Sequence, residues 1–365
     1  MVGDIMHDIS NTPCIEVDVD DLIYEIELGP IQIEITGRCN MTCEHCRASE
    51  MPKLDMPVKQ VIKIMKFARM YSPNYKEVTL SGGEPFLHND FREILRAVRE
   101  NGADYLTITT NGSLVTDDIL QYISKLKFER LMLSVSVDAL NAADHDLFRH
   151  SPGSYNLATN TLQRIAKLDN ENIVASMKTV IKPNNIDDME KFVALASSLG
   201  CKRISFTSVI ASGLALKRND LWMSQEQKKQ FLIEIYRLKS VYPNINITTN
   251  DPLKCLIRGY SDLQQNDNEL VFDGCPAATV TFNVNVDGTM TPCPLLNVPM
   301  MNITTMSIDE IAIAYQNNEI VRDMLRMNLQ GKCGVCSRKY QCGGCRARAL
   351  CQNGHIMAED PECWI

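Results

Sequence analysis

Three cysteines fall within eight residues in Cys39-Asn40-Met41-Thr42-Cys43-Glu44-His45-Cys46, directly after the alternating run Ile31-Gln32-Ile33-Glu34-Ile35. A CxxxCxxC spacing on one short loop gathers three thiolates. That is enough to hold three irons of a cubane 4Fe–4S cluster and leave the fourth without a protein ligand. An iron with an open position is a place for chemistry, whereas a closed cluster mainly carries electrons. The remainder of the chain reads as a scaffold that serves this loop.

From residue 31 the hydrophobic pattern is regular. Strands are expected over 31–35, 77–80, 105–109, 131–137, 173–181 and 203–209, with helices over 58–70, 91–100, 116–126, 157–168 and 186–199. Pro57 stands near the start of the first helix, Asn101-Gly102 closes the second and Gly200 ends the last. Strand and helix in alternation argue for a parallel sheet with crossover helices. The expected fold class is α/β, a partial (β/α)6 TIM-like open barrel, since six repeats are too few to close an eight-stranded one. In such folds the reactive face lies at the C-terminal ends of the strands, and the cysteine loop follows the first strand.

The flanks divide accordingly. Residues 1–30 are an N-terminal cap segment in which Val17, Val19, Leu22, Ile23, Ile26 and Leu28 suit a short strand or hairpin. Residues 31–210 form the core and 211–270 a bridge, with a helix from Ser224 to about 239, a strand at 245–248 and a polar boundary at 263–269. Residues 271–365 form a cysteine-rich domain with a β-hairpin turning at Asp287-Gly288 and short helices over 307–315 and 319–327. With little apolar periodicity, its terminal part is expected to need metal ties to fold.

Composition bounds the function. Of 365 residues 45% are hydrophobic and 22% charged, ordinary for a globular protein, and no apolar run is long enough to span a bilayer. A net charge of -8 without a long Lys/Arg block disfavours nucleic acid. Met1-Val2-Gly3-Asp4-Ile5 has no basic region and no signal core, so the expected location is cytoplasmic. The 14 cysteines cluster at ligand-like spacings rather than spreading as a disulfide framework would, which favours metal or cluster binding.

Polar loops follow the expected strands in register with the cysteines. Ser81-Gly82-Gly83-Glu84-Pro85 follows the second strand, Thr109-Thr110-Asn111-Gly112 the third, and Ser136-Val137-Asp138 ends the fourth. Taken singly, each is an ordinary turn or cap. Together with CxxxCxxC they resemble the core of the radical S-adenosylmethionine (radical SAM) enzymes. That resemblance implies a SAM whose amino and carboxylate groups chelate the open iron of the cluster on Cys39, Cys43 and Cys46. It places Gly82, Gly83 and Glu84 at the SAM amino group, Asn111 among the cofactor-binding residues, and Ser136 and Asp138 near the ribose or carboxylate. His45 fills a usually aromatic position, Ile181 or Val209 lines adenine, and Lys178 is a candidate carboxylate partner. The implied activity is reductive SAM cleavage to a 5′-deoxyadenosyl radical that abstracts hydrogen from a substrate. An electron donor such as flavodoxin or ferredoxin is the implied partner.

The C-terminal cysteines read C-x12-G-x4-C at Cys275, Gly288 and Cys293, then C-x2-C-x5-C-x2-C at Cys333, Cys336, Cys342 and Cys345, then Cys363. This is similar to the SPASM domain, which holds two auxiliary iron–sulfur clusters. It departs by one residue, because two residues, Gly343 and Gly344, separate Cys342 from Cys345 where that pattern usually has three. The resemblance implies one cluster on Cys333, Cys336, Cys342 and Cys363. It implies a second on Cys275, Cys293 and Cys345, with Cys255, Cys351 or an open iron in fourth place. Paired CxxC units also suit a structural zinc site, and a non-catalytic iron–sulfur or zinc scaffold is the alternative of another class. Cys14 and Cys201 read as small buried side chains. Among SPASM-type enzymes the resemblance implies first a peptide or protein substrate and second a tetrapyrrole or other small cofactor precursor. The N-terminal 30 residues look too short for a peptide-leader domain, so a peptide substrate implies a separate peptide-recognition protein.

Overall fold

The computed structural model describes residues 14–72, 76–257 and 274–365. The expected boundary at 263–269 lies outside them. The cap segment is an antiparallel hairpin, β1 (Ile15–Val19) and β2 (Leu22–Ile26), with Ile15, Val17 and Val19 turned inward on alternate positions.

The core strands are β3 (Ile31–Thr36), β4 (Glu77–Gly82), β5 (Tyr105–Thr110), β6 (Arg130–Ser136), β7 (Ile173–Ile181) and β8 (Arg203–Ser208). β9 (Asn246–Thr248), β10 (Asn283–Val284), β11 (Thr289–Thr291) and β12 (Met301–Asn302) join the same sheet, in the order β12-β11-β10-β3-β4-β5-β6-β7-β8-β9. Pairing is parallel from β10 through β3 to β9 and antiparallel within β10-β11-β12. The hairpin of the cysteine-rich segment therefore docks on the free edge of β3, with Asn283 opposite Gln32 and Val284 opposite Ile33. Gly288, at φ +83, makes its turn. One sheet thus runs through the expected core, bridge and C-terminal segments.

Helices α1 (Val58–Met70), α2 (Phe91–Glu100), α3 (Asp117–Ser124), α4 (Ala142–Arg149), α5 (Ser154–Ala166), α6 (Met189–Ser198) and α7 (Gln225–Val241) fill the crossovers. Ser224 opens α7 with a reciprocal capping box to Gln227. α8 (Ile308–Gln316) and α9 (Glu319–Arg326) follow the hairpin. The last stretch has only α10 (Gly331–Gly334), α11 (Lys339–Cys342) and α12 (Arg346–Asn353). No helix among the described residues is long and apolar enough to cross a membrane.

Strand alternation creates two faces. Val78, Leu80, Leu106, Ile108, Leu131, Leu133, Val135, Ile204 and Phe206 are buried in one apolar core with Val61, Ile64, Ile94, Leu162 and Phe192 of the helices. Apart from Met132, the residues between them are polar, and with their strand neighbours they include Glu34, Thr79, Ser81, Thr107, Thr109, Ser134, Ser136, Ser176, Lys178, Ser205 and Thr207. Register lines them into bands, with Glu34 beside Ser81, Thr109 beside Ser134, Ser134 beside Ser176, and Ser136 beside Lys178 and then Ser205. The inner face of the sheet is thus a hydroxyl-rich floor.

Candidate functional site

The cysteine loop is held at the end of β3 by packing that only glycine permits. A Cβ on Gly83 would meet the Arg38 carbonyl oxygen at 2.1 Å, and one on Gly82, at φ +135, the Thr36 oxygen at 2.2 Å. The Gly83 amide donates to Thr36 O at 2.7 Å and the Glu84 amide to Arg38 O at 2.8 Å. Gly82-Gly83 is therefore more than a tight turn, since it lays the loop after β4 against the loop after β3. Arg38 pins the other side through Asp55, with Nε 3.0 Å from Oδ1, and Thr36 Oγ1 donates to Oδ1 at 2.7 Å. Burial pushes the Asp55 carboxyl up, but these bonds outweigh it and hold it low.

Glu84 ties this pair to the third loop. It is fully buried and accepts from Thr110 Oγ1 at 2.7 Å, the Asn111 amide at 2.8 Å and the Phe86 amide at 3.4 Å. A carboxylate accepts about four hydrogen bonds, so roughly one acceptor position remains for a ligand. Burial raises the Glu84 carboxyl to about 7 despite those bonds. Asn111 Nδ2 donates to Asn40 Oδ1 at 2.9 Å, beside Cys39.

Asp138 lies deeper than the sequence suggests. Its Oδ2 accepts from Arg149 Nε at 2.9 Å and Nη2 at 2.5 Å, and its Oδ1 from the Val180 amide at 3.0 Å. Burial pushes this carboxyl up, and Arg149 overrides it and holds it well below the carboxylate range. The polar group that Asp138 turns toward Cys39 and Cys43 is the Arg149 guanidinium, whose charge acts on both thiols. Sequence reasoning missed Arg149, which reads as one more charged residue in Ala142–Arg149. Ser136 sits half-buried on the inner face beside Lys178.

His45 stacks on Phe148, with ring centroids 4.7 Å apart and planes within 2°. Burial lowers it to about 4, so it is neutral at pH 7. Phe148 packs with Val180, Val209 and Leu221 in a small apolar cluster that fits the apolar slot expected for adenine. Ile181 belongs instead to the main core behind the sheet.

Directly after Cys46, Arg47 pairs with the buried Glu34 and donates to Pro294 O at 3.3 Å, which links the first loop to the segment of Cys293. Lys178 stands near Arg47. Burial first, then Arg47, lowers it to about 8, and no carboxylate among the described residues closes an ion pair with it. Ser81 Oγ, Ser176 Oγ and Asn283 Oδ1 are buried on or beside this inner face without hydrogen-bond partners among the described residues. Surface hollows around Phe128 and around Asn246 lie at the opposite, N-terminal ends of the strands.

The C-terminal thiols form two neighbourhoods. The charge of Cys275 acts on Cys293 and on Cys345, and that of Cys342 on Cys333 and on Cys363. Backbone amides donate to several sulfurs: Leu296 to Cys293 at 3.2 Å, Gly344 to Cys342 at 3.3 Å, and Asp360 to Cys333 and Arg338 to Cys336 at 3.4 Å. Amide bonds to sulfur are the surroundings that thiolate cluster ligands take, so the donor set fits iron–sulfur groups. Among the described residues no three His, Cys, Asp or Glu side chains, those of the first loop included, are drawn together as around a bound metal ion. Cys201 is buried in the core and raised by burial to about 12. Burial alone raises the Cys351 thiol.

A network of buried charges that the sequence did not announce holds this region. Arg348, with no exposed surface, donates to Asp360 at 2.7 Å and to Asp251 at 2.7 and 3.1 Å. Lys228 on α7 reaches Asp251 at 2.7 Å and Glu362 at 2.9 Å. Asp360 Oδ2 accepts the Cys345 amide at 2.7 Å.

Residues 33–196 match the model of the Radical SAM superfamily. The chain is 28% identical to an AdoMet-dependent heme synthase of Methanosarcina barkeri over 352 residues, 90% of this chain and 94% of that protein. It is 24% identical to the mycofactocin maturase MftC of Mycobacterium tuberculosis over 361 residues, 94% of this chain and 86% of that one. In fold it resembles Streptococcus suis SuiB bound to precursor peptide SuiA, with a TM-score of 0.73 and 15% identity over 93% of this chain and 77% of that chain. The family that residues 33–196 match uses a 4Fe–4S cluster and SAM.

Proposed function

We propose that the chain modifies its substrate by hydrogen abstraction on the polar inner face of the sheet, in the maturation of a peptide or protein. One observation carries this reading. The three-thiol loop opens onto a floor of hydroxyls bordered by Arg47 and Lys178, so the reactive end of the barrel and a polar binding surface coincide.

Each residue has a part. Cys39, Cys43 and Cys46 would hold three irons, leaving the fourth for SAM. Gly82, Gly83 and Glu84 would meet the SAM amino group, with Asn111 bracing Glu84 and the cysteine loop. Ser136 offers a hydroxyl to the ribose. Asp138 orients Arg149, whose guanidinium suits the SAM carboxylate. Cys333, Cys336, Cys342 and Cys363 would hold one auxiliary cluster, and Cys275, Cys293 and Cys345 the other. When bound, the cluster and SAM supply a 5′-deoxyadenosyl radical. The protein orients the substrate and excludes water. Flavodoxin or ferredoxin is the electron donor we expect, in the cytoplasm, and a separate recognition protein would deliver a peptide.

A second reading has a specific observation in its favour. A hydroxyl-rich floor with Lys178 free of an ion pair among the described residues and Arg47 beside it, held by Glu34, suits a carboxylate-bearing substrate, such as a tetrapyrrole with acidic side chains. The near end-to-end match to a heme synthase points the same way. Anaerobic assays with a short peptide encoded near the gene and with a carboxylate-bearing porphyrin, read by mass change and 5′-deoxyadenosine yield, separate the two. Lys178→Met should keep unstimulated SAM cleavage and lose stimulation by the true substrate. Equal stimulation of parent and variant would remove the inner face from the account.

A further inference from the structure

The first cysteine of the reactive loop is clamped by Gly83 and by Arg38 on Asp55. The third is clamped as well, by a strap that lies outside the strand–helix rhythm and carries no cysteine. After β8 the chain folds back over the loop in two 3-10 turns, Gly213–Lys217 and Asn219–Leu221. The Leu214 amide donates to the Cys46 carbonyl at 3.0 Å. Gly213, at φ +54, permits this approach, because a Cβ there would press on the Cys46 oxygen and stand 2.8 Å from both Cα and O of Arg47. The Cys46 amide in turn donates to the Cys43 carbonyl at 3.1 Å, so a shift at Cys46 carries to Cys43.

Glu44 is the other anchor. It stands between Cys43 and His45, and its amide donates to Phe148 O at 3.0 Å. Its carboxylate pairs with Arg218 of the strap through Oε2, and Oε1 lies 3.6 Å from His150 Nε2. Asp220 holds Arg218 in place, with Nε 2.9 Å from Oδ1 and Nη2 2.8 Å from Oδ2. Trp222 Nε1 donates to Ala215 O at 3.0 Å and closes the strap on itself. Ala215 and Leu221 are buried in one apolar cluster with Phe148, Val180 and Val209. The strap is thus bonded to the cysteine loop at two points and shares its apolar side with the ring on which His45 stacks.

We infer that Gly213 and Arg218 are positioning residues of the reactive centre. Gly213 acts by backbone contact and Arg218 through Glu44, and together they lock the Cys43–Cys46 half of the loop. The Gly83 clamp fixes the Cys39 end alone. An open iron receives a chelating ligand in one orientation only if all three of its neighbours are held, and a loop clamped at one end leaves two thiols free to swing. Neither residue touches the reacting atoms. This rests on the loop of Cys39, Cys43 and Cys46 holding a cluster that binds SAM.

The test uses the full chain, reconstituted anaerobically with iron and sulfide. Arg218→Met, Arg218→Lys, Glu44→Gln and the double variant Arg218→Met with Glu44→Gln are compared with the parent. Hydrogen exchange at the Leu214 amide, with and without iron, reports whether the strap is held. Electron paramagnetic resonance of the reduced protein during a SAM titration reports the open iron, since a cluster that binds SAM changes its signal. Arg218→Met and Glu44→Gln should each speed exchange at Leu214. Each should raise the SAM needed for half of the spectral change about two- to fivefold, the effect of a half-exposed ion pair. Iron content and circular dichroism should stay at parent values. The double variant should be no worse than either single, and Arg218→Lys should restore most of the parent's behaviour. Gly213→Asn, which tolerates positive φ but carries a Cβ, should have a larger effect than any of these. A pair that merely decorates the surface leaves both the exchange and the titration unchanged, and that result would overturn the assignment. Additive losses in the double variant would overturn it too. A parent that holds iron yet shows no SAM-dependent signal would instead sink the reading of the loop on which this stands, and exchange at Leu214 would still test the strap.

Discussion

The sheet and the cysteine-rich tail are built on opposite principles. Along β3–β8 every second residue enters an apolar core, and fully burying a Leu or Phe there contributes roughly 1.5–3 kcal/mol. Past residue 330 the largest fully buried side chains are Arg346, which donates to the Ile356 and Ala358 carbonyls, and Arg348, clamped by Asp251 and Asp360. A buried ion network is weak evidence of net stability, because desolvation offsets the attraction. The sheet can therefore fold from its own hydrophobic pattern. The tail needs its charges paired and its thiols ligated, and two short bridges, β10 on β3 and Arg47 on Pro294, couple it to the reactive loop.

The largest effect should follow removal of iron. Chelation should strip hydrogen-exchange protection from amides around 331–363 and leave those of β4–β7 protected. Equal loss in both regions would erase the contrast. Next in size is Arg348→Met, which leaves Asp251 and Asp360 buried without their main cation. A cost of about 3–5 kcal/mol is expected, read as rapid proteolysis of the tail while the sheet survives. Leu133→Ala, at a fully buried strand position, should cost about 2–5 kcal/mol. Chemical denaturation should show the same loss with or without iron.

The smallest effect is a titration. Burial raises Glu84 to about 7, so it is mostly neutral below that pH and mostly carboxylate above it. Because its folded pKa lies above the unfolded one, its contribution to stability is present at acid pH and fades as pH rises through about 7. Infrared difference spectra should show a protonated carboxyl band lost on going from pH 6 to pH 8, and absent throughout in Glu84→Gln.

How far the sequence reaches follows the same divide. Strands, capping boxes and the Asp287-Gly288 turn are local, and alternation or spacing reveals them. The hydroxyls of Ser81, Ser134 and Ser176 were visible as residues, but only register shows that they form one floor. Helix α4 was missed because Ala142-Ala143-Asp144-His145-Asp146 has almost no apolar stripe, and Arg149 was lost with it. Arg348 meets Asp251 across 97 residues of sequence. No local pattern encodes such pairings. The cysteine spacing was legible because ligands on one loop must be close in sequence as well as in space.

The central claim is that the loop of Cys39, Cys43 and Cys46 is the reactive centre and the tail is its auxiliary. The most direct measurement is 5′-deoxyadenosine formed from SAM under a strong reductant, anaerobically. It compares the iron-loaded parent with the variant carrying Ala at all three positions. The account predicts product from the parent and none from the variant, which still retains iron in its tail. Product from the variant, or none from a fully iron-loaded parent, would contradict it.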